Sequence, residues 1–151
     1  MAQKAFDEVV QIGFVVDNLE KYIENWKALG LEDWTDPIPV NAESTPNMMQ
    51  HGEPIEYETR IAMNFDLGLQ IELIEPVTDN SIYAEFLRTH GPGLHHLQVG
   101  SSHHGEMVRR LTELSGTCPL ISGGPEGAEF RYFDTGAKLG FIAETFGDIA
   151  E

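Results

Sequence analysis

Apolar and polar positions along this chain alternate with two different periods, and the switches between them mark its elements. Residues 8–16, EVVQIGFVV, form a β-branched run that predicts a buried strand. Asp17 and Asn18 then supply N-cap chemistry for a helix over 19–29, with Leu19, Tyr22, Ile23, Trp26 and Leu29 as its apolar stripe and Gly30 as its stop. From Asp36 to Pro54 the pattern dissolves into Pro, Asn, Ser and paired Met48 and Met49, which predicts a long loop, read here as one that covers a substrate. Strand alternation resumes over 56–65. Asp66-Leu67-Gly68 turns the chain into LQIELIEP, a second strand that Pro76 ends. A short helix over 79–89 follows, with Ile82, Phe86 and Leu87 inward, before the turn His90-Gly91-Pro92-Gly93.

The second half repeats that order. A strand over 94–101 leads to a helix over 104–115, with Met107, Val108, Leu111 and Leu114 on one side and Gly116 closing it. Strands over 118–122, 128–134 and 138–146 are expected next, the last two joined by a tight turn at Thr135-Gly136-Ala137. Strand, helix and further strands, twice over, is an internal repeat legible as element order. A single domain over 1–151 is expected, of two modules about 6–76 and 92–148 with the helix 79–89 between them.

Side-chain parity then exposes residues that do not suit their strands. In LQIELI, Leu69, Ile71 and Leu73 share the face read as core, which turns Gln70, Glu72 and Ile74 the other way. In LHHLQV, His96 and Gln98 share one face, and in FIAETF Glu144 lies on the face of Ile142 and Phe146. The repeat equates Gln11 with His96 and Glu72 with Glu144. Two half-barrels related by a pseudo-two-fold would bring Gln11, Glu72, His96 and Glu144 together on their concave faces. An unpartnered buried carboxylate costs several kcal/mol (order of magnitude), so two at one spot imply a cation. His95 is read as structural, and His103 and His104 as solvated or capping residues before the helix.

Composition narrows the partners. A formal charge of −16, from 25 acidic against 9 basic residues, argues against nucleic acid or an anionic membrane. The lone Cys118 excludes an internal disulfide and is expected as a buried, inert thiol in a strand. No apolar run approaches membrane-spanning length and the N-terminus lacks a signal-peptide core, so a soluble, cytoplasmic protein is expected. HGPGLHH is a turn before a strand and not a nucleotide-cradling glycine loop.

QIGFVVDNLEKYIENWKALG, IELIEP and EFLRTHGPGLHHL together resemble the vicinal oxygen chelate superfamily, which includes glyoxalase I, methylmalonyl-CoA epimerase and the extradiol dioxygenases. The resemblance covers nearly the whole chain. It implies an α+β fold of paired βαβββ modules whose curved mixed sheets surround a central cavity, commonly as a homodimer. It implies that His96 is the metal histidine, that Glu72 and Glu144 are carboxylate ligands, and that Gln11 stands where epimerases have histidine, as in glyoxalases that use an amide oxygen. A divalent Zn, Ni, Co, Mn or Mg fits such an oxygen-rich set. The implied activity is that of a metal-dependent isomerase, epimerase or lyase acting on a small-molecule substrate that chelates through two oxygens while an enolate or enediolate forms, with Glu144 as base. Epimerases place a second acid on the strand before Glu72, near Thr59 or Arg60. Parity puts Glu58 and Arg60 on one face, and an inward Arg60 would anchor a substrate carboxylate or phosphate. Arg131 is a further candidate for an anionic substrate. Two alternatives remain: an extradiol-type dioxygenase, against which Gln11 in place of a histidine counts, and a non-catalytic small-molecule-binding protein of the same fold. Metal content separates the last from the enzymes, and oxygen consumption with a catechol separates the dioxygenase.

Overall fold

The computed structural model describes residues 2–150. In chain order its elements are β1 (Glu8–Val15), α1 (Leu19–Lys27), β2 (Ile38–Val40), β3 (Met49–Gln50), β4 (Glu53–Pro54), β5 (Thr59–Asn64), β6 (Gln70–Pro76), α2 (Ile82–Thr89), β7 (Gly93–Gly100), α3 (His104–Ser115), β8 (Ile121–Gly123), β9 (Glu129–Phe133), α4 (Gly136–Leu139) and β10 (Ile142–Gly147). The α+β class expected from the sequence holds. Two compact units form, one from 11–44 and 56–95, the other from 2–10, 45–55 and 96–150. Among the described residues no helix is long and apolar enough to cross a membrane.

In the first unit the strands run in the order β2, β5, β6, β1. β2, β5 and β6 are antiparallel, and β1 returns parallel to β6. A parallel return requires a crossover, which α1 opens. The Asn18 side chain caps α1 by accepting from Lys21 N at 3.1 Å, and Glu75 on β6 accepts from Leu19 N at 2.9 Å. These two oxygens satisfy amide donors that the first helical turn leaves unpaired, and the second also pins the helix to the sheet. Leu19 and Ile23 then pack with Val16, Ala62, Ile71 and Leu73, and Trp26 lies edge-on to Phe14. Ser81 caps α2 in the same way, accepting from Ala84 N at 3.2 Å.

The second unit has the order β7, β10, β9, β8, β3, β4. β8, β9 and β10 are antiparallel, and β7 lies parallel to β10. The repeat read along the sequence is therefore present in topology: strand, helix, then a three-stranded meander whose last strand pairs parallel with the first. α3 covers one face of this unit, with Met107 and Leu111 against Val99, Phe133 and Ala143, and Gly116 ends it at φ 72°. A left-handed terminal residue suits glycine because a positive φ strains the backbone of a residue that carries a Cβ.

Three local expectations change. The stretch 36–54 is not one structureless loop, since β2 pairs with β5 and a β3–β4 hairpin pairs through β3 with β8. His51 and Gly52 turn that hairpin at φ 52° and 81°, a geometry that matches the twist of paired strands. Strands of two or three residues are too short to show alternation, so periodicity could not reveal them. After β9 the chain enters the helical turn α4 where a tight turn was expected. Buried Thr135 secures it, its hydroxyl donating to Phe141 O at 2.8 Å and accepting from Ala143 N at 3.0 Å. Cys118 is exposed and lies in the loop before β8, not in a strand.

Leu73 is fully buried under α1. Leu73→Ala is expected to lower unfolding free energy by about 3 kcal/mol, read from urea denaturation curves, because the cavity cannot collapse between a helix and a hydrogen-bonded sheet.

Candidate metal centre

Register divides the first unit's sheet into two chemically distinct faces. Ile12, Phe14, Ile71, Leu73 and Ala62 face α1. The opposite face carries Gln11, Gly13, Gln70, Glu72 and Met63, because Gln11 aligns with Gln70, Gly13 with Glu72, and Glu72 with Met63. Gln11 and Glu72 are buried, at 4% and 9% exposure. The Gln11 amide nitrogen donates to Gln70 Oε1 at 3.0 Å and approaches Met63 S at 3.6 Å. Its Oε1 is buried and accepts no hydrogen bond among the described residues. Such an oxygen costs about 1–3 kcal/mol unless something electropositive meets it.

The second unit repeats the arrangement with different donors. His96, fully buried, sits on the face opposite α3 together with Ile142, Glu144 and Tyr132. His96 Nε2 lies 3.2 Å from Glu144 Oε1 and 3.2 Å from the Tyr132 hydroxyl, and the two rings are 4.6 Å apart. Glu144 is 6% exposed. Imidazole nitrogen, carboxylate and phenol thus converge on one buried point.

The two donor pairs share one register. Gln11 aligns with Gln70 and His96 with Ile142; in each case the carboxylate, Glu72 or Glu144, stands two residues further along the last strand. The residue across the meander from each carboxylate, Met63 or Tyr132, is the one that touches the first-strand donor. Tyr132 escaped the sequence reading, which weighed its neighbour Arg131 instead. The signal was present: in FRYFD, alternation puts Tyr132 on the face opposite Arg131, and the repeat equates it with Met63.

Other candidates lie elsewhere. Arg60 aligns with Glu75 on the face that carries α1, opposite Glu72. Its guanidinium is held by Glu75 at 2.9 Å and by Glu20 of α1. The expected parity with Glu58 is sound, but their shared face is the helix face, so Arg60 is a fastener between helix and sheet and does not stand beside Glu72. Glu58 accepts from the Asn41 side chain at 3.1 Å. Arg131 likewise lies on the α3 face, 3.4 Å from Glu129. His104, expected as a solvated or capping residue, is buried at 6% exposure beside Gly147, where a Cβ would meet its ring at 3.0 Å. His95 packs against Tyr83 and Phe86 with centroids 5.5 and 4.9 Å away, a structural role.

A family model for the glyoxalase/bleomycin resistance protein/dioxygenase superfamily matches residues 10–132. The chain belongs to that superfamily. Solved structures agree on the fold. Methylmalonyl-CoA epimerase of Mycobacterium tuberculosis is similar with a TM-score of 0.65 at 20% identity, over 98% of this chain and 92% of that one. The Streptomyces coelicolor methylmalonyl-CoA epimerase in complex with 2-nitronate-propionyl-CoA gives 0.66 at 19% identity, over 95% and 98%. A Bacillus halodurans protein described as hypothetical gives 0.60 at 19%, over 92% of each chain. No curated protein matches this superfamily member in sequence.

The Arg60 guanidinium holds the Glu20 carboxyl below the usual carboxylate range. A depressed folded-state value means the pair stabilises fully above the ordinary carboxylate pKa and loses its effect as pH falls through the lower, folded value. Arg60→Gln should therefore lower the urea midpoint at about pH 7 and converge on the parent protein at about pH 3. Its metal affinity should be unchanged.

Proposed function

We propose that this protein is a divalent-metal enzyme of the isomerase, epimerase or lyase type, moving a proton next to a carbonyl of a small oxygenated substrate. The observation that carries this is the repeated register: two buried nitrogen-or-oxygen donors, each with a buried carboxylate two residues beyond its partner, on the faces opposite α1 and α3. The residues fit a cation. Gln11 offers a buried oxygen that accepts no hydrogen bond among the described residues, and Glu72, His96 and Glu144 are a set of buried side chains that could hold a metal ion. Gln11, Glu72, His96 and Glu144 would be its ligands. Three oxygens to one imidazole nitrogen suit Mg, Mn, Co, Ni or Zn. When bound, the ion supplies positive charge for the carbonyl oxygen of a substrate that coordinates through two oxygens.

The chain's own groups do the rest. Glu144 is the base: its carboxylate takes the proton, the C–H electron pair becomes the C=C bond of an enolate, and the carbonyl π pair moves onto oxygen. Return of the proton from Glu144 to a neighbouring atom gives an isomer; an epimer requires a second acid on the opposite face of the enolate. Tyr132, beside His96 Nε2, orients the imidazole and presents a hydroxyl to the substrate oxygens. Ile121, the register partner of Tyr132, is fully buried, which limits the access of water that would compete for the proton. The fold shared with proteins described as methylmalonyl-CoA epimerases, one in complex with methylmalonyl-CoA, favours an acyl thioester as the first substrate to try. Function as a homodimer belongs to the same reading.

The test begins with elemental analysis of protein purified without chelator, followed by uptake of added divalent ions. Deuterium incorporation into methylmalonyl-CoA, and into a glutathione hemithioacetal, is then followed by NMR. A stoichiometric ion that His96→Ala loses is the expected result. Glu144→Gln should keep substrate binding while exchange falls about 100-fold or more, the usual weight of a positioned base. A protein that neither contains nor takes up an ion would overturn the reading, and full exchange in Glu144→Gln would reject the base assignment.

A further inference from the structure

The two repeats hold unlike donors, and the difference imposes a requirement on one of them. An imidazole with one ring nitrogen directed at a site can ligate without further sorting. A glutamine amide has an oxygen that ligates and an NH2 that repels a cation, and the two ends exchange by rotation about one bond. At Gln11 the oxygen is buried and accepts no hydrogen bond among the described residues, while the NH2 lies between two acceptors, Gln70 Oε1 at 3.0 Å and Met63 S at 3.6 Å. Rotating the amide would set its oxygen against Gln70 Oε1 and turn the NH2 toward the site. The sequence supplies this acceptor only where it is needed: Gln70 is the register partner of Gln11, whereas the register partner of His96 is Ile142, which offers no hydrogen bond.

We propose that Gln70 is a positioning residue that holds the Gln11 amide with its oxygen toward the metal, and so sets the protein's affinity for the ion. This rests on the metal reading above. Gln70 touches neither ion nor substrate and acts through Gln11. Met63 contributes more weakly, since a thioether is a poor acceptor. A carboxylate at position 70 accepts and never donates, so Gln70→Glu keeps the amide in the ligating orientation. Gln70→Met removes the acceptor at similar volume and leaves both orientations open.

The experiment measures Co2+ and Zn2+ binding to metal-free protein by calorimetry, with Co2+ visible absorption as a second readout. Gln70→Met is expected to weaken binding about tenfold or more, the usual effect of losing a group that orients a ligand, and to shift the Co2+ bands. Gln70→Glu should bind no more weakly than the parent. In a Gln11→Ala background, Gln70→Met should change nothing further, which a general structural role for Gln70 does not predict. The side-chain NH2 resonances of Gln11 in metal-free protein, assigned by their loss in Gln11→Ala, should move in Gln70→Met and hold in Gln70→Glu; this readout needs no bound ion. Parent-like binding by Gln70→Met, while Gln11→Ala binds weakly, would overturn the positioning role and leave the metal reading standing. Parent-like binding by Gln11→Ala would overturn the role by removing Gln11 from the ligands. Failure of the unsubstituted protein to bind any ion is the separate outcome that removes the metal reading itself.

Discussion

A β-strand has two faces and a period of two, and nearly every functional statement about this chain follows from that constraint. In each unit one face of the meander is covered by a helix and filled with aliphatic side chains: Ile71, Leu73 and Ala62 under α1, Val99, Ala143 and Phe133 under α3. Whatever polar chemistry the strands carry must therefore appear on the alternate positions, and it does, at Gln11 and Glu72 and at His96 and Glu144. Parallel pairing of the first and last strands then fixes how far apart the donors of each pair lie, because neighbouring strands sit about 4.8 Å apart. The same offset of two residues recurs in both repeats.

Burial gives that geometry its chemical direction. The chain carries 25 acidic residues, and most of its carboxylates meet water or a cationic side chain. Glu20 and Glu75 share Arg60, and Arg109 bridges Glu106 and Glu113 along α3. Glu72 and Glu144 are set apart from these by their burial and by lying on the faces opposite α1 and α3. Charge withdrawn from water needs a counter-charge of comparable strength at short range, and imidazole at 3.2 Å provides one only when protonated. A divalent ion meets the same need without removing a proton-accepting group from the site. Arg60, by contrast, has its counter-charges already, which is why a cation in this chain is not automatically a substrate anchor.

Long, strongly patterned elements were legible in the residues: β1, α1, β6, β7 and α3 lie within a few residues of where periodicity puts them. Parity alone also separates Glu72 from the core face of its own strand. What periodicity lacks is a sense of which face is which when both are half apolar. Arg60 lies in a strand whose alternate positions are Thr59, Ile61 and Met63 on one side and Ala62 and Asn64 on the other, so composition gave no preference between the faces. Only the contact of Ala62 with α1 and the salt bridge to Glu20 decide it. His104 illustrates a different loss. A histidine at the start of a helix is ordinarily in solvent, but Gly147 on β10 has no side chain, and the ring fills the space a Cβ would take. That complementarity joins residues far apart in sequence and leaves no local trace.

The repeat is most informative where it is broken. Element order, register offset and the contact between first-strand donor and meander residue survive in both halves, while the residue types do not: Gln11 stands for His96, Met63 for Tyr132, Gln70 for Ile142. These three differences form one connected change, since Gln70 and Met63 are the two groups that meet the Gln11 NH2. Replacing an imidazole by an amide adds a second orientation, and the surrounding acceptors remove it again. The phenol of Tyr132 gives His96 a protic neighbour, whereas the thioether of Met63 gives Gln11 an aprotic one. The His96–Glu144 half thus sets a phenol across the meander from its carboxylate, and the Gln11–Glu72 half sets a thioether there. The roles proposed above, Glu144 moving a proton and Glu72 holding charge, match that difference between a protic and an aprotic neighbour.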